Sequence, residues 1–95
     1  MSKVELGIAR SKNDRGYSAC EYMSSLSEIV LNAIKLMKKE TDKLMQDPTT
    51  QQELANSLHV IQCDMLLIKD QIQEKASELA DERAKLWKEE NGQRG

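Results

Sequence analysis

The chain contains no phenylalanine, one tryptophan and two tyrosines in 95 residues. Strands draw on aromatic and β-branched side chains, so this scarcity argues against a sheet protein. One proline and four glycines leave little material for turns and loops. The two cysteines, Cys20 and Cys63, have no metal-ligand spacing and are expected to be reduced, partly buried small hydrophobes. No run approaches the ~20 apolar residues of a membrane span. Met1–Arg15 lacks the apolar core of a signal peptide, so the expected location is cytoplasmic, with export without a cleaved signal left open.

Charge of one sign is also missing, because the net charge is −2. Residues 1–16 carry Lys3, Arg10, Lys12 and Arg15 against Glu5 and Asp14, whereas residues 47–95 carry ten acids against six bases. A nucleic-acid binder needs a basic stripe and usually interleaved aromatics, and only the N-terminal segment is basic. Chemistry is equally sparse. His59, the single histidine, does not face Asp64 on a helix, because i,i+5 is not a facing pair. Asp81-Glu82 with Arg83 and Lys85 reads as a solvated flank. No glycine-rich phosphate loop and no nucleophile constellation are present. The expectation is no enzyme: no catalytic, cofactor or metal site.

What the chain does have is two amphipathic helical patterns separated by one short break. Ser18-x-x-Glu21 has the form of a capping box, with Tyr17 and Tyr22 at staple spacing. Met23, Leu26, Val30, Ala33, Met37 and Leu44 follow with a 3,4 alternation interrupted at Glu40. Tyr22, Ile29 and Leu36 widen the stripe on one flank and Ile34 on the other. Gln46-Asp47-Pro48-Thr49-Thr50 is the break. The residue before proline leaves the α region, and either Asp47 or Thr50 can cap a second helix. That helix carries Leu54, Leu58, Ile61, Met65, Ile68, Ile72, Leu79 and Leu86 in the same rhythm, with Lys75 and Glu82 in two seam positions.

A connection this short makes the helices antiparallel neighbours. The predicted fold is therefore all-α: a coiled-coil-like antiparallel hairpin, completed by oligomerisation into a helical bundle. The predicted organisation is a flexible arm over 1–16 and a hairpin over 17–91, with helices about 18–46 and 50–90 around a turn at 47–49. A disordered tail covers 92–95. The last ~15 residues of the second helix should overhang the first. Folding about Asp47 leaves Cys20 and Cys63 about 16 Å apart along the axis, beyond disulfide reach.

The expected intrachain seam sets Met23, Leu26, Val30 and Met37 against Leu58, Ile61, Met65, Ile68 and Ile72. Val60, Cys63, Leu66 and Leu67 then form a second apolar face that a lone hairpin cannot bury. They are the candidate self- or partner-association residues. Leu79, Leu86 and Trp87 on the overhang are candidate partner contacts, tryptophan being enriched at binding hot spots. The expected function is a non-enzymatic assembly module, with a homodimer or a complex with a helical protein partner, no membrane association and no cofactor. The alternative is a small dimeric regulator binding nucleic acid through the basic segment.

Leu44-Met45-Gln46-Asp47-Pro48-Thr49-Thr50-Gln51-Gln52-Glu53-Leu54, followed by Leu58 and Gln62, resembles the turn and second-helix opening of small type III secretion subunits. These needle and inner-rod proteins are helical hairpins broken at an Asn/Asp-Pro turn. The resemblance covers about residues 30–72. The chain departs from it in ending on charged Lys88-Glu89-Glu90 rather than an apolar tail, and in lacking a polar-aromatic stretch in the second helix. The small coiled-coil chaperones of those systems are similar in length and plan and accommodate a charged tail. The resemblance implies a secretion-system chaperone or structural subunit.

Overall fold

The structure, a computed structural model, describes residues 2–94. It is an all-α helical hairpin of α1 (Lys3–Leu44) and α2 (Pro48–Arg94), with no strand among the described residues. The hairpin divides into two compact units. The turn unit is Ser24–Gln71, and the terminal unit joins Met1–Met23 to Ile72–Gly95.

The expected flexible arm is helix instead. The Ser2 hydroxyl caps it by accepting the Glu5 amide at 3.1 Å. Ser18 is exposed in mid-helix, so its capping-box spacing starts nothing. The reason is tertiary: in the terminal unit Leu6 and Asn13 are buried at 5% and 3% exposure, so the N-terminal segment gains a neighbour that local propensity does not reveal. The expected overhang disappears for the same reason, because Arg10 pairs with Glu90 at 2.7 Å. The tail expected to be disordered is helical through Arg94, and Gly95 lies outside the described residues.

The break falls where proline places it. α1 ends at Leu44, two residues before the expected Gln46, and Pro48 opens α2 in the first position, where a missing N–H costs nothing. Of the two candidate caps, Asp47 is the one used. Its Oδ2 accepts the Thr50 amide at 3.1 Å and the Thr50 hydroxyl at 2.6 Å.

The intrachain seam differs from the expected one. In the turn unit the residues of α1 with the least exposure are Ser24, Ser27, Leu31, Ile34, Lys38 and Thr41, spaced 3,4,3,4,3. Leu31 and Ile34 anchor it at 5% and 1% exposure. Ser27 is buried too, its hydroxyl donating to the Ser24 carbonyl at 2.7 Å. From α2 come Ala55, Leu58, Gln62, Met65 and Lys69, all half-buried. Polar links cross the seam: the Lys38 ammonium donates to Gln62, Lys69 pairs with Glu28, and the Gln51 amide donates to the Asp42 carbonyl at 3.2 Å. Leu58, Met65 and Ile72 therefore hold their expected inward place. Met23, Leu26, Val30, Met37, Ile61 and Ile68 do not: all six are exposed. The seam mixes small residues, Ser24, Ser27, Thr41 and Ala55, with large ones such as Leu31, Ile34, Leu58 and Met65, while the stripe's large apolar side chains stand exposed to one side.

The terminal unit is sealed differently. Leu6 and Leu86 are its buried apolar residues. Asn13 donates to the Leu79 carbonyl at 2.8 Å, and Gly16 lies so close to Leu79 that an added Cβ would sit 3.2 Å from its δ-methyl. Arg83 reaches Asp14 at 2.9 Å and stacks 4.8 Å from the centre of the Tyr17 ring.

Candidate functional site

Side chains displaced from the seam make the candidate site. On α1 of the turn unit, Leu26, Val30, Met37 and Leu44 are 36–66% exposed, and on α2 Leu54, Ile61 and Ile68 are 37–50% exposed. Met37 and Leu44 are seven residues apart, as are Leu54, Ile61 and Ile68, so each set forms a row along its helix. An open groove of about 270 Å³ near the turn is lined by Met37, Leu44, Leu54 and Leu58 together with Thr41 and Met45. The two rows therefore lie on the same side of the hairpin. Glu40 is the charged residue at the groove's rim.

The electrostatics of the turn unit also place charge off this strip. The Lys69 ammonium, hydrogen-bonded to Glu28 and adding its positive field, holds the Glu28 carboxyl below its ordinary pKa. At the turn, the Thr50 hydroxyl and amide, donating to Asp47, lower the pKa of that carboxyl.

The association residues expected from the sequence are not brought together as one site. Val60, Cys63, Leu66 and Leu67 are exposed, with Val60 and Leu67 each at 59%. At 100° per residue Cys63 points about 160° away from the Leu54/Ile61/Ile68 row, so this is a separate surface on the back of α2. Cys63 Sγ lies 3.6 Å from His59 Nε2, one turn away. Both cysteines are free. In the terminal unit Leu86 is buried and Leu79 half-buried against α1, so those two expected contacts are already covered within the chain. Trp87 is 63% exposed. It borders a cleft of about 140 Å³ with Arg10, Asn13, Asp14, Arg83 and Leu86. Both arginines there are committed to carboxylates, Arg10 to Glu90 and Arg83 to Asp14.

The strip on the face of the turn unit was missed from the sequence as an outward feature because its residues were assigned to the seam. A signal for the true seam exists: Asn13, Gly16, Cys20, Ser24 and Ser27 lead into Leu31, Ile34, Lys38 and Thr41 at three- and four-residue steps. A small-polar stripe beside a large-apolar one indicates two neighbours, not one.

The described residues hold no group of three or more metal-ligating side chains and no helix long and apolar enough to cross a membrane. No family model, characterised protein or solved structure matches the chain.

Proposed function

We propose that this protein is a non-enzymatic assembly module that binds itself or a helical partner through the apolar helix face of its turn unit. One observation carries the reading: seven large aliphatic side chains stand in two rows on one side of Ser24–Gln71 with a third or more of their surface exposed. The largest contiguous apolar patch on a typical monomer is roughly 300–600 Å² and is often functional, and this strip is at the upper end of that range. The core behind this strip is thin. Leu31 and Ile34 are the fully buried large apolar side chains of the turn unit, each contributing about 1.5–3 kcal/mol. A hairpin of this size gains from a partner what its own core does not supply.

The likeness of residues 44–62 to type III secretion hairpins supports a place among the chaperones or structural subunits of such a system, where small helical hairpins work by packing helix on helix.

The test is peroxide oxidation of Met37, followed by mass spectrometry on the purified chain and in extract of the source cell. Each rate is compared with that of the chain unfolded in urea. Slowing of Met37 by at least tenfold in either setting supports the assembly reading. Oxidation of Met37 at near the unfolded rate in both settings overturns it.

A further inference from the structure

Resting on that reading, we propose that the partner covering the strip is a second copy of this chain, and that two turn units close into a four-helix bundle with α1 of one copy against α2 of the other.

The first argument is angular. Around α1, at 100° per residue, the seam positions Ser24, Ser27, Leu31, Ile34, Lys38 and Thr41 centre on one direction. The outward positions Leu26, Val30, Ala33, Met37 and Leu44 centre about 100° from it. On α2 the row Leu54, Ile61 and Ile68 lies about 80° from the seam centred on Gln51, Ala55, Leu58, Gln62, Met65 and Lys69. A helix in a triangular bundle meets its two neighbours about 60° apart, and a helix in a square bundle about 90° apart. Both helices thus call for square packing. One added helix cannot complete a square; two are needed, each with an apolar row about 90° from its own seam. That is a description of the turn unit itself, and an isologous two-fold satisfies both copies with one contact.

Two further features agree. The rows match in length: Leu26–Leu44 and Leu54–Ile68 each run about 20–27 Å along their helices, so a copy covers the strip from end to end. The exposed carbon of the seven side chains and Met45 is on the order of 600 Å², near the ~800 Å² per partner of a stable dimer.

The experiment is sedimentation equilibrium of the full chain across a hundredfold concentration range under reducing conditions. The wild type should have twice the 10.8 kDa chain mass. Met37 and Ile61 are 48% and 50% exposed in a single chain, so M37K and I61E should each remain helical by circular dichroism. Each should weaken self-association at least a hundredfold, because a charge would be buried against apolar neighbours. An equimolar mixture of M37K and I61E chains should recover the dimer, which a purely structural role of either residue would not produce. V60E/L67E, on the back of α2, should keep the wild-type mass. The proposal is overturned by a wild type monomeric throughout, by a trimer or larger ring, by failure of the mixture to associate, or by a monomer from V60E/L67E alone. A monomeric wild type whose Met37 is protected only in cell extract overturns the second copy while leaving the assembly reading intact.

Discussion

The turn unit and the terminal unit are built from the same two helices and the same 3,4 seam, yet they treat their outer surfaces in opposite ways. Of the eighteen exposed large apolar side chains among the described residues, thirteen fall within Ser24–Gln71 and five in the terminal unit. The change can be followed along one row of α2. Leu54, Ile61 and Ile68 occupy it in the turn unit, and Lys75, Glu82 and Glu89 continue it at the same seven-residue step. On α1 the row Val30, Met37 and Leu44 continues toward the N-terminus through Met23, 48% exposed, and then becomes Gly16 and Ala9. The terminal unit exposes fewer such side chains, Val4, Ile8, Tyr22, Met23 and Trp87, and is tied within the chain by polar contacts: Asn13 on Leu79, Arg83 on Asp14 and Tyr17, Arg10 on Glu90. The exposed apolar side chains are thus concentrated on the turn unit, where we propose the partner binds.

The largest expected effect that sharpens this contrast comes from the turn-unit anchor. Ile34 is 1% exposed, so I34D buries an unpaired charge and should cost about 4 kcal/mol or more, enough to abolish the cooperative melt followed by circular dichroism. M37K, three residues away, should leave the helices formed. A folded I34D protein would show that the seam is not where the burial places it.

Next is Leu86, the buried leucine of α2 in the terminal unit. L86A should cost about 2–3 kcal/mol. Hydrogen exchange should then accelerate in residues 3–20 and 79–90 more than in 31–41 and 55–65. Equal acceleration in both sets would mean the two units do not open separately.

The turn gives a smaller effect with a pH signature. Removing the Asp47 cap in D47A should lower the melting temperature. The folded pKa of Asp47 is lowered by the Thr50 hydroxyl and amide, so protonation favours the unfolded chain. The carboxylate's contribution is fully present above the unfolded pKa of about 3.9 and is lost as pH falls through the lower folded value. The gap in melting temperature between wild type and D47A should therefore narrow below about pH 4. A gap unchanged down to pH 2 would contradict the capping account.

Smallest is G16A. Alanine gains up to about 1 kcal/mol of helix propensity over glycine, while its Cβ would meet the Leu79 δ-methyl at 3.2 Å. The contact is with the end of a flexible side chain, so the net change in stability should stay within about 1 kcal/mol. A loss above 2 kcal/mol would mean the helices cannot separate there at all.

The hairpin itself was legible: the 3,4 alternations, Asp47-Pro48 and the lack of strand-forming residues lead to two helices and a tight reversal. The start of α1 was not, because Ser18-x-x-Glu21 has the local form of a cap and nothing local shows that Leu6 and Asn13 pack on α2. The seam was misassigned for a physical reason of wider use. Periodicity measures how broad an apolar stripe is, not which edge of it faces which neighbour. Lys75 and Glu82 seemed to interrupt a seam; they sit in an outward row, where charge carries little penalty.

Association on the turn unit's apolar strip, as proposed, leaves the terminal unit untouched. Hydrogen exchange of the wild-type chain should be compared before and after a hundredfold dilution. Dilution should speed exchange in residues 26–44 and 54–68 while 3–20 and 79–90 stay unchanged. Faster exchange confined to the terminal segments, or none anywhere as the mass falls from dimer to monomer, would contradict it.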